Sequence, residues 1–212
     1  HFALSLDGVG EGFAESKKAH TLEFKTMNDK NFKATKNMGV QKSKPIYWAQ
    51  CQIGMHLAEM DRCYFIAVNK NTDEIYGERI RLDKAEAKAL ISKAENIVFS
   101  ALPPDKLHDD PSNWQCKFCP YWAVCHGCKI PEVSCRTCSH VTPEQDGTWS
   151  CSKGKPTVTC DEHLYIPQIM PTDLEVSDAG DDFVDYEDLD SGEIIRNKNN
   201  SREIFESRMR DE

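Results

Sequence analysis

The sequence has no long hydrophobic segment. Only 39% of its 212 residues are hydrophobic, and no apolar run approaches the roughly 18 residues that a membrane-spanning helix requires. No segment combines the basic, apolar and small-residue parts of a secretory signal peptide. These absences exclude a helical membrane protein, and we expect a cytoplasmic chain with no membrane partner. The length allows one core domain of roughly 100–150 residues with smaller additions.

Basic residues are too few to balance the acidic ones. The formal net charge is −9, which by itself argues against a polyanion-binding surface, because phosphate contacts need lysine and arginine. However, ten of the 35 acidic residues lie within 173–195, where no lysine or arginine occurs, so the rest of the chain is close to neutral. Lysines are frequent in or near a predicted loop early in the chain: Lys17, Lys18, Lys25, Lys30, Lys33, Lys36, Lys42 and Lys44. That loop could contact a phosphate backbone, and a simply solvated loop is the alternative.

Two short segments near the start alternate apolar and polar residues, as β-strands do. Apolar residues take every second position in Phe2–Gly8, and Thr21–Thr26 places Glu23 and Lys25 on one face. If the two strands pair as a hairpin, Asp7 comes close to Glu23 and Lys25. Two carboxylates can hold a divalent metal that polarises a phosphate and acidifies a water, while the amine orients that water or offsets charge. The alternative is an ordinary half-solvated strand.

The following segment predicts an α/β fold with a mixed central sheet flanked by helices. Apolar residues recur at helical spacing in Pro45–Met60. Strands are predicted at Cys63–Asn69 and Glu74–Leu82. A capping box at Asp83–Glu86 begins a second helix, which ends before Pro103.

This order of elements resembles the PD-(D/E)XK nuclease superfamily, in particular its lambda-exonuclease-like and RecB-like (YqaJ-like, iron–sulfur) members. The similarity lies in Asp7, in the Glu-Phe-Lys strand and in the helix with Tyr-x-Ala-Gln-x-Gln. It implies that Asp7 and Glu23, with the backbone carbonyl of Phe24, bind Mg²⁺ or Mn²⁺. It also implies that Lys25 is the catalytic lysine and that Gln50 lies beside the active site.

Some features depart from that family. Gln50 and Gln52 lie about 200° apart around a helix, so they cannot both face the site, and we favour Gln50. Residue 6 is leucine where the superfamily often has proline, and Gly54 stands where a tyrosine often follows the glutamine. The chain begins with His1 rather than methionine, directly at the predicted strand. We therefore expect a missing N-terminal segment, which in such nucleases often adds a helix and an acidic residue or a histidine.

Ten cysteines are far more than a chain of this length usually has, and eight of them lie between residues 116 and 160. A reducing cytoplasm disfavours disulfides, so their spacing suggests metal ligation. The first group is Cys116, Cys119, Cys125 and Cys128. Three closely spaced cysteines after the core resemble the C-terminal triplet of iron–sulfur nucleases, which implies a [4Fe–4S] cluster; zinc is the alternative. Cys128 is the available fourth ligand.

The second group has the spacing of a structural zinc ribbon: Cys135, Cys138, Cys151 and Cys160. So short a unit has too little core to fold without Zn²⁺. His140 and His163 are substitute ligands, and Ser134–His140 resembles a cysteine-rich module of phage exonucleases. Cys51 and Cys63 lie outside both groups and are predicted to be small buried residues of a helix and a strand.

The composition predicts four regions. They are a nuclease core at 1–112, a cysteine-cluster segment at 113–132, a zinc-ribbon-like module at 133–171 and an acidic, partly disordered tail at 172–212. Within the tail, Phe183–Tyr186 and Glu193–Arg196 could form a small hairpin.

The predicted function is that of a Mg²⁺- or Mn²⁺-dependent exonuclease that hydrolyses DNA at its ends, in phage-type recombination or end processing, in a bacterial or phage-infected cytoplasm. Expected partners are double- or single-stranded DNA, a phage single-strand annealing protein and further copies of the chain. The alternative is a non-catalytic metal-ribbon module that binds DNA or protein on a nuclease-like fold. An iron–sulfur electron-transfer protein is a third interpretation, which is disfavoured because nothing indicates a flavin or donor site.

Overall fold

The chain forms a mixed α/β structure. The computed structural model describes residues 2–14, 16–127, 129–154, 160–198 and 201. Its contacts divide the chain after Asn96 into two compact units, which are described separately. The predicted end of the core, at residue 112, therefore falls within the second unit.

The first unit is built on a four-stranded sheet. Its strands are β1 (Gly8–Gly10), β2 (His20–Met27), β3 (Arg62–Asn69) and β4 (Ile75–Arg81). They lie in the order β1-β2-β3-β4, with an antiparallel, a parallel and an antiparallel pairing in turn. The parallel central pair needs a crossover connection, which two helices supply: α1 (Asp29–Ser43) and α2 (Pro45–Leu57).

Helix α1 occupies the segment that was predicted to be a lysine-rich loop, and that prediction was wrong. Asn28 caps the start of the helix, because its side chain accepts a hydrogen bond from the Asn31 N–H at 2.9 Å. Gly39 has a φ of 77° and kinks the helix, which is a conformation that glycine adopts without steric cost. The Val40 N–H at the kink donates to Glu78 Oε2 at 2.9 Å, so the interruption leaves that donor satisfied.

The hydrophobic core lies between the two crossover helices and one face of the sheet. The strand predicted at Cys63–Asn69 is confirmed, and alternation along β3 buries every second side chain. The buried core residues are Met27, Phe32, Val40, Cys51, Met55, Cys63, Phe65, Ala67 and Ile80. Cys51 and Cys63 are among them, so their prediction as small buried residues is confirmed. Truncation of a fully buried aromatic residue such as Phe65 would cost about 3–5 kcal/mol.

Helix α3 (Lys84–Val98) follows β4. The Asp83 carboxylate accepts hydrogen bonds from the N–H groups of Ala85 and Glu86 at 3.0 Å each, which confirms the predicted helix start. Trp48 Nε1 on α2 donates to Glu86 Oε2 at 2.8 Å. This bond ties the start of α3 to the layer of helices.

The first strand is displaced from its predicted position. Phe2–Leu6 is not a strand, and pairing with β2 begins only at Gly8, opposite Leu22. The leucines of this segment pack against α2 instead, since a Cβ at Gly54 would lie 2.9 Å from Leu6 Cδ2. Their alternation therefore reflects contact with a helix, and Gly54 permits that close approach.

The second unit combines short helices with two small sheets. Its elements are α4 (Trp114–Lys117), α5 (Trp122–Cys125), β5 (Val141–Pro143), β6 (Trp149–Cys151), β7 (Leu174–Gly180), β8 (Phe183–Asp188) and β9 (Ile194–Asn197). Strands β5 and β6 form a hairpin within the predicted zinc-ribbon segment. Strands β7, β8 and β9 form an antiparallel sheet in that order.

The acidic tail is more ordered than we predicted. The β8–β9 hairpin was predicted and is confirmed, but β7 extends it into a sheet where disorder was expected. Val184 and Tyr186 bury their side chains in a core with Leu164 and Tyr165, and this apolar contact outweighs the repulsion among surface carboxylates. Residues 199–200 and 202–212 of the predicted tail lie outside the described residues.

Candidate active site

The Glu-Phe-Lys motif lies on β2, next to the parallel strand β3. Glu23 pairs in register with Phe65, and Lys25 with Ala67, so Glu23 and Lys25 point toward the face that the helices cover. Glu23 is only 3% exposed, while Phe24 points the other way and is 48% exposed. The predicted alternation of this strand is confirmed.

Asp7 lies at the same edge of β2. Its Oδ2 accepts a hydrogen bond from the Phe24 N–H at 2.7 Å, just beyond the last β1–β2 pair at Gly8 and Leu22. In an extended strand the N–H and C=O of one residue point toward the same neighbour. The Phe24 carbonyl therefore faces the edge at which Asp7 lies. Asp7, Glu23 and Phe24, which were predicted as ligands of one metal, are thus neighbours.

The charges of the site depend on one another. Lys25 Nζ forms an ion pair with Glu23 Oε1. Burial raises the pKa of Glu23 above its ordinary value and the charge of Asp7 adds to that rise, although Lys25 opposes it. Burial lowers the pKa of Lys25, but the ion pair with Glu23 and the charge of Asp7 outweigh burial, so its pKa is raised. The amine is therefore a cation suited to offsetting negative charge, and poorly suited to acting as a base.

Helix α2 adds an aromatic ring that the sequence analysis did not assign to the site. Lys25 Nζ lies 5.2 Å from the centroid of the Tyr47 ring, within cation–π range, and that ring stacks on Phe65 at 6.3 Å. Tyr47 is three residues before Gln50, a spacing that places both on neighbouring parts of the helix surface. That spacing was the signal that could have identified Tyr47.

The two glutamines of α2 differ in their surroundings. Gln52 is fully buried; its Nε2 donates to the Arg81 carbonyl at 3.0 Å, and its Oε1 accepts from the Asp83 N–H at 2.8 Å. Gln52 is therefore a structural residue that holds the turn between β4 and α3. Gln50 is half-buried on α2, and its predicted role beside the active site stays a prediction.

The donor atoms at this edge suit a hard divalent cation. Asp7 and Glu23 offer carboxylate oxygens, which Mg²⁺ and Mn²⁺ prefer over nitrogen or sulfur. The Asp7 charge helps to raise the pKa of Glu23, so a bound cation would relieve the repulsion between the two carboxylates. The third predicted ligand is a backbone oxygen, which completes an all-oxygen set.

The described cysteines of the first group lie on and between the two short helices: Cys116 is on α4, Cys125 ends α5, and Cys119 lies between them. Cys116 is buried, Cys119 half-buried and Cys125 exposed. The Cys119 N–H donates to the Cys116 carbonyl at 2.8 Å, so this Cys-x-x-Cys pair forms a tight turn. Cys128, the predicted fourth ligand, lies outside the described residues.

The second cysteine group frames the β5–β6 hairpin. Cys138 is buried and pairs by a β-bridge with Tyr165, Cys151 ends β6, and Cys135 and Cys160 are half-buried. The substitute ligand His163 is buried, with Nε2 3.1 Å from the Ser134 carbonyl oxygen.

Metal binding by the cysteines stays a prediction. Within the described parts of the chain, no three His, Cys, Asp or Glu side chains form a group that could hold a metal ion. The described members of each cysteine group are therefore not gathered around one point.

Comparison with known proteins found no match, whether to family models, to curated proteins or to solved structures. Any functional assignment therefore depends on the residues and their geometry. Among the described helices, none is both long and apolar enough to cross a lipid bilayer.

Proposed function

We propose that this protein is a Mg²⁺- or Mn²⁺-dependent DNA exonuclease of the PD-(D/E)XK type. The observation that carries the proposal is the convergence of Asp7, Glu23 and Lys25 at one edge of β2. Asp7 is distant in sequence from Glu23 and Lys25, which share one face of β2. The Asp7–Phe24 hydrogen bond brings all three residues into one site. Two carboxylates beside an ammonium group suit hydrolysis of a phosphodiester.

The surrounding fold supports the same proposal. Strand β2, which carries Glu23 and Lys25, lies centrally in a mixed sheet. A helical crossover connects it to its parallel neighbour β3. Helix α2 covers the face that carries Glu23 and brings Tyr47 to Lys25. This sequence of strand, motif strand, helix and two further strands is the order on which the family resemblance depends.

Each residue has a defined task in the proposal. Asp7 and Glu23 would hold the metal with the Phe24 carbonyl, and the bound ion would supply Lewis-acid catalysis and a more acidic water. Lys25 stays protonated and offsets charge on the phosphate or orients the attacking water. Burying an ion pair such as Glu23–Lys25 is costly and is weak as a stabilising device. That cost favours a catalytic site over the alternative of a non-catalytic binding module.

The DNA would contact the lysines of α1. Lys33 pairs with Asp29 at 2.8 Å and Lys36 with Glu74 at 2.5 Å. These acidic partners neutralise the two lysines and reduce their contribution to DNA binding. Lys30 and Lys42 are exposed on the same helix and are the better candidates for phosphate contacts. The same proposal includes a [4Fe–4S] cluster at the first cysteine group and structural Zn²⁺ at the second. It also includes self-association and an annealing-protein partner.

Digestion of end-labelled linear DNA tests the proposal. We expect degradation that requires Mg²⁺ or Mn²⁺, stops with a chelator and spares closed circular DNA, because an exonuclease needs an end. Glu23→Gln should abolish it, since the amide keeps the shape of the side chain but loses the metal-binding charge. The matched control is Glu95→Gln, which removes an exposed carboxylate from α3 and should leave the rate unchanged. Equal rates for Glu23→Gln and Glu95→Gln would contradict the proposal.

A further inference from the structure

A cavity opens on the opposite face of the first-unit sheet, away from Glu23 and Lys25. Its volume is about 310 Å³, and its lining residues are Ser16, His20, Arg62, Arg79 and Arg81. A water molecule occupies about 30 Å³ in the liquid, so the cavity has room for a small polyatomic ion. The proposed nuclease chemistry uses none of these residues.

The strand register brings the cationic side chains together. Thr21 pairs with Cys63 across the parallel strands, so the preceding residues of both strands, His20 and Arg62, share the other face. Arg62 lies directly opposite Arg81 on β4. Arg79, paired with Tyr64, is two residues before Arg81 and therefore points to the same face.

His20 has a buried ring nitrogen with no hydrogen-bond partner among the described residues. The residue is fully buried, and its ring packs on Phe13 with centroids 4.4 Å apart. Nδ1 lies 2.9 Å from the Lys18 carbonyl oxygen; because a carbonyl only accepts, Nδ1 carries the hydrogen. Nε2 is buried and has no hydrogen-bond partner within the described residues. Leaving such an atom unpaired costs about 1–3 kcal/mol, and His20 is one of the residues that line the cavity.

Positive charge dominates this corner of the sheet. Like charges directly opposite each other on neighbouring strands are destabilising, and Arg62 and Arg81 have this arrangement. Asp61 compensates in part: its Oδ2 lies 3.3 Å from Arg62 Nη1, but it also pairs with Lys18 at 2.5 Å. Asp61 is thus shared by two cations, and Arg81 on the neighbouring strand adds a further positive charge to the lining.

We propose that this cavity is a binding site for a phosphate group. Guanidinium groups present forks of N–H donors that match phosphate oxygens. If the ring of His20 turns toward the ligand, Nε2 can donate to a phosphate oxygen when protonated or accept from the hydroxyl of hydrogen phosphate when neutral. Ser16 Oγ accepts from the Lys18 N–H at 3.2 Å, so its own hydrogen is available for the ligand.

Calorimetric titration with inorganic phosphate, at ionic strength held constant with sodium chloride, tests the site. We expect saturable binding of one phosphate per chain at this site. Arg81→Gln should weaken it about tenfold or more, the usual effect of losing a charge-assisted hydrogen bond. His20→Gln, which cannot reproduce both ring contacts, should weaken it as well. Lys93→Gln, which removes an exposed cation from α3, is the charge-matched control and should bind phosphate as the unaltered chain does.

A second arm identifies the source of the phosphate. The same titrations use an oligonucleotide with and without a 5′-phosphate, in a chelator and without divalent metal. If Arg81→Gln loses affinity only for the phosphorylated strand, the site binds a strand end. If it loses affinity only for inorganic phosphate, the site binds a free ion. Both results support the site. Equal affinity of Arg81→Gln and Lys93→Gln for both inorganic phosphate and the phosphorylated strand, or saturable binding of neither, would overturn it.

The phosphate site and the nuclease proposal can fail separately. Glu23 lies on the other face of the sheet, so Glu23→Gln should leave phosphate binding unchanged even if it abolishes DNA digestion. Loss of phosphate binding in Glu23→Gln would mean that the ion binds at the carboxylate site through another arrangement, and would contradict the assignment to the arginine cavity.

Discussion

Added Mg²⁺ should raise the thermal stability of the first unit, and substitution of either proposed carboxylate ligand should remove that effect. Asp7 and Glu23 repel each other in the metal-free chain, as the raised pKa of Glu23 reflects together with burial. An ion bound by both carboxylates favours the folded state, because the unfolded chain does not hold them together.

The magnitude follows from binding linkage. At a free Mg²⁺ concentration ten times the dissociation constant, the free energy of unfolding rises by about 1.4 kcal/mol. For a domain the size of residues 2–96, each kcal/mol shifts the melting temperature by roughly 4–8 °C. The expected increase is therefore roughly 6–11 °C. Mg²⁺ is the appropriate ion because it prefers oxygen ligands and interacts little with the cysteines of the second unit.

Far-ultraviolet circular dichroism during heating, with and without Mg²⁺, measures the shift. Glu23→Gln and Asp7→Asn should each abolish it, whereas Glu95→Gln should keep it. If Glu23→Gln retains the full Mg²⁺-dependent increase, the ion binds elsewhere and the reasoning is wrong.

Three further predictions concern the second unit. Cys138→Ser should release one zinc per chain and expose residues 133–166 to proteolysis; unchanged zinc content would contradict the ribbon assignment. Protein prepared anaerobically with iron should be brown, and Cys119→Ser should lose both colour and stability; a colourless protein with two zinc ions would assign zinc to both groups. Arg196 holds the pKa of Asp185 below its ordinary value. The pair therefore stabilises the fold at pH values above the ordinary carboxyl pKa, and this stabilisation is lost as the pH falls through the lowered pKa. Acid titration of stability should show this loss in the unaltered chain and not in Asp185→Asn.

Local sequence patterns predicted most elements of the first unit. Strands β2, β3 and β4 and helices α2 and α3 have strong alternation, helical periodicity or a capping signal, and each of these features acts over a few residues. Helix α1 lacked such a signal because it is rich in lysine and asparagine, buries few apolar side chains and is interrupted at Gly39. Its position depends on tertiary contacts, such as the one from Val40 to Glu78.

The candidate site was predictable in part, for the same reason. Glu23 and Lys25 share a strand face by simple alternation, but the placement of Asp7 depends on Leu6 packing against Gly54, which no local pattern reveals. The acidic tail shows the same limit. Its charge suggested disorder, whereas Tyr186 finds apolar partners that are distant in sequence.

Separation of metal binding from hydrolysis in one variant tests the central claim most directly. Lys25 is a proposed catalytic cation and not a metal ligand, so Lys25→Ala should still bind Mn²⁺, as electron paramagnetic resonance measures. Its rate of DNA digestion should fall about 10²–10³-fold, as expected when a group that stabilises transition-state charge is removed. Digestion by Lys25→Ala at the unaltered rate, or an unaltered chain that binds no Mn²⁺, would contradict the assignment of Asp7, Glu23 and Lys25 as a metal-dependent hydrolytic site.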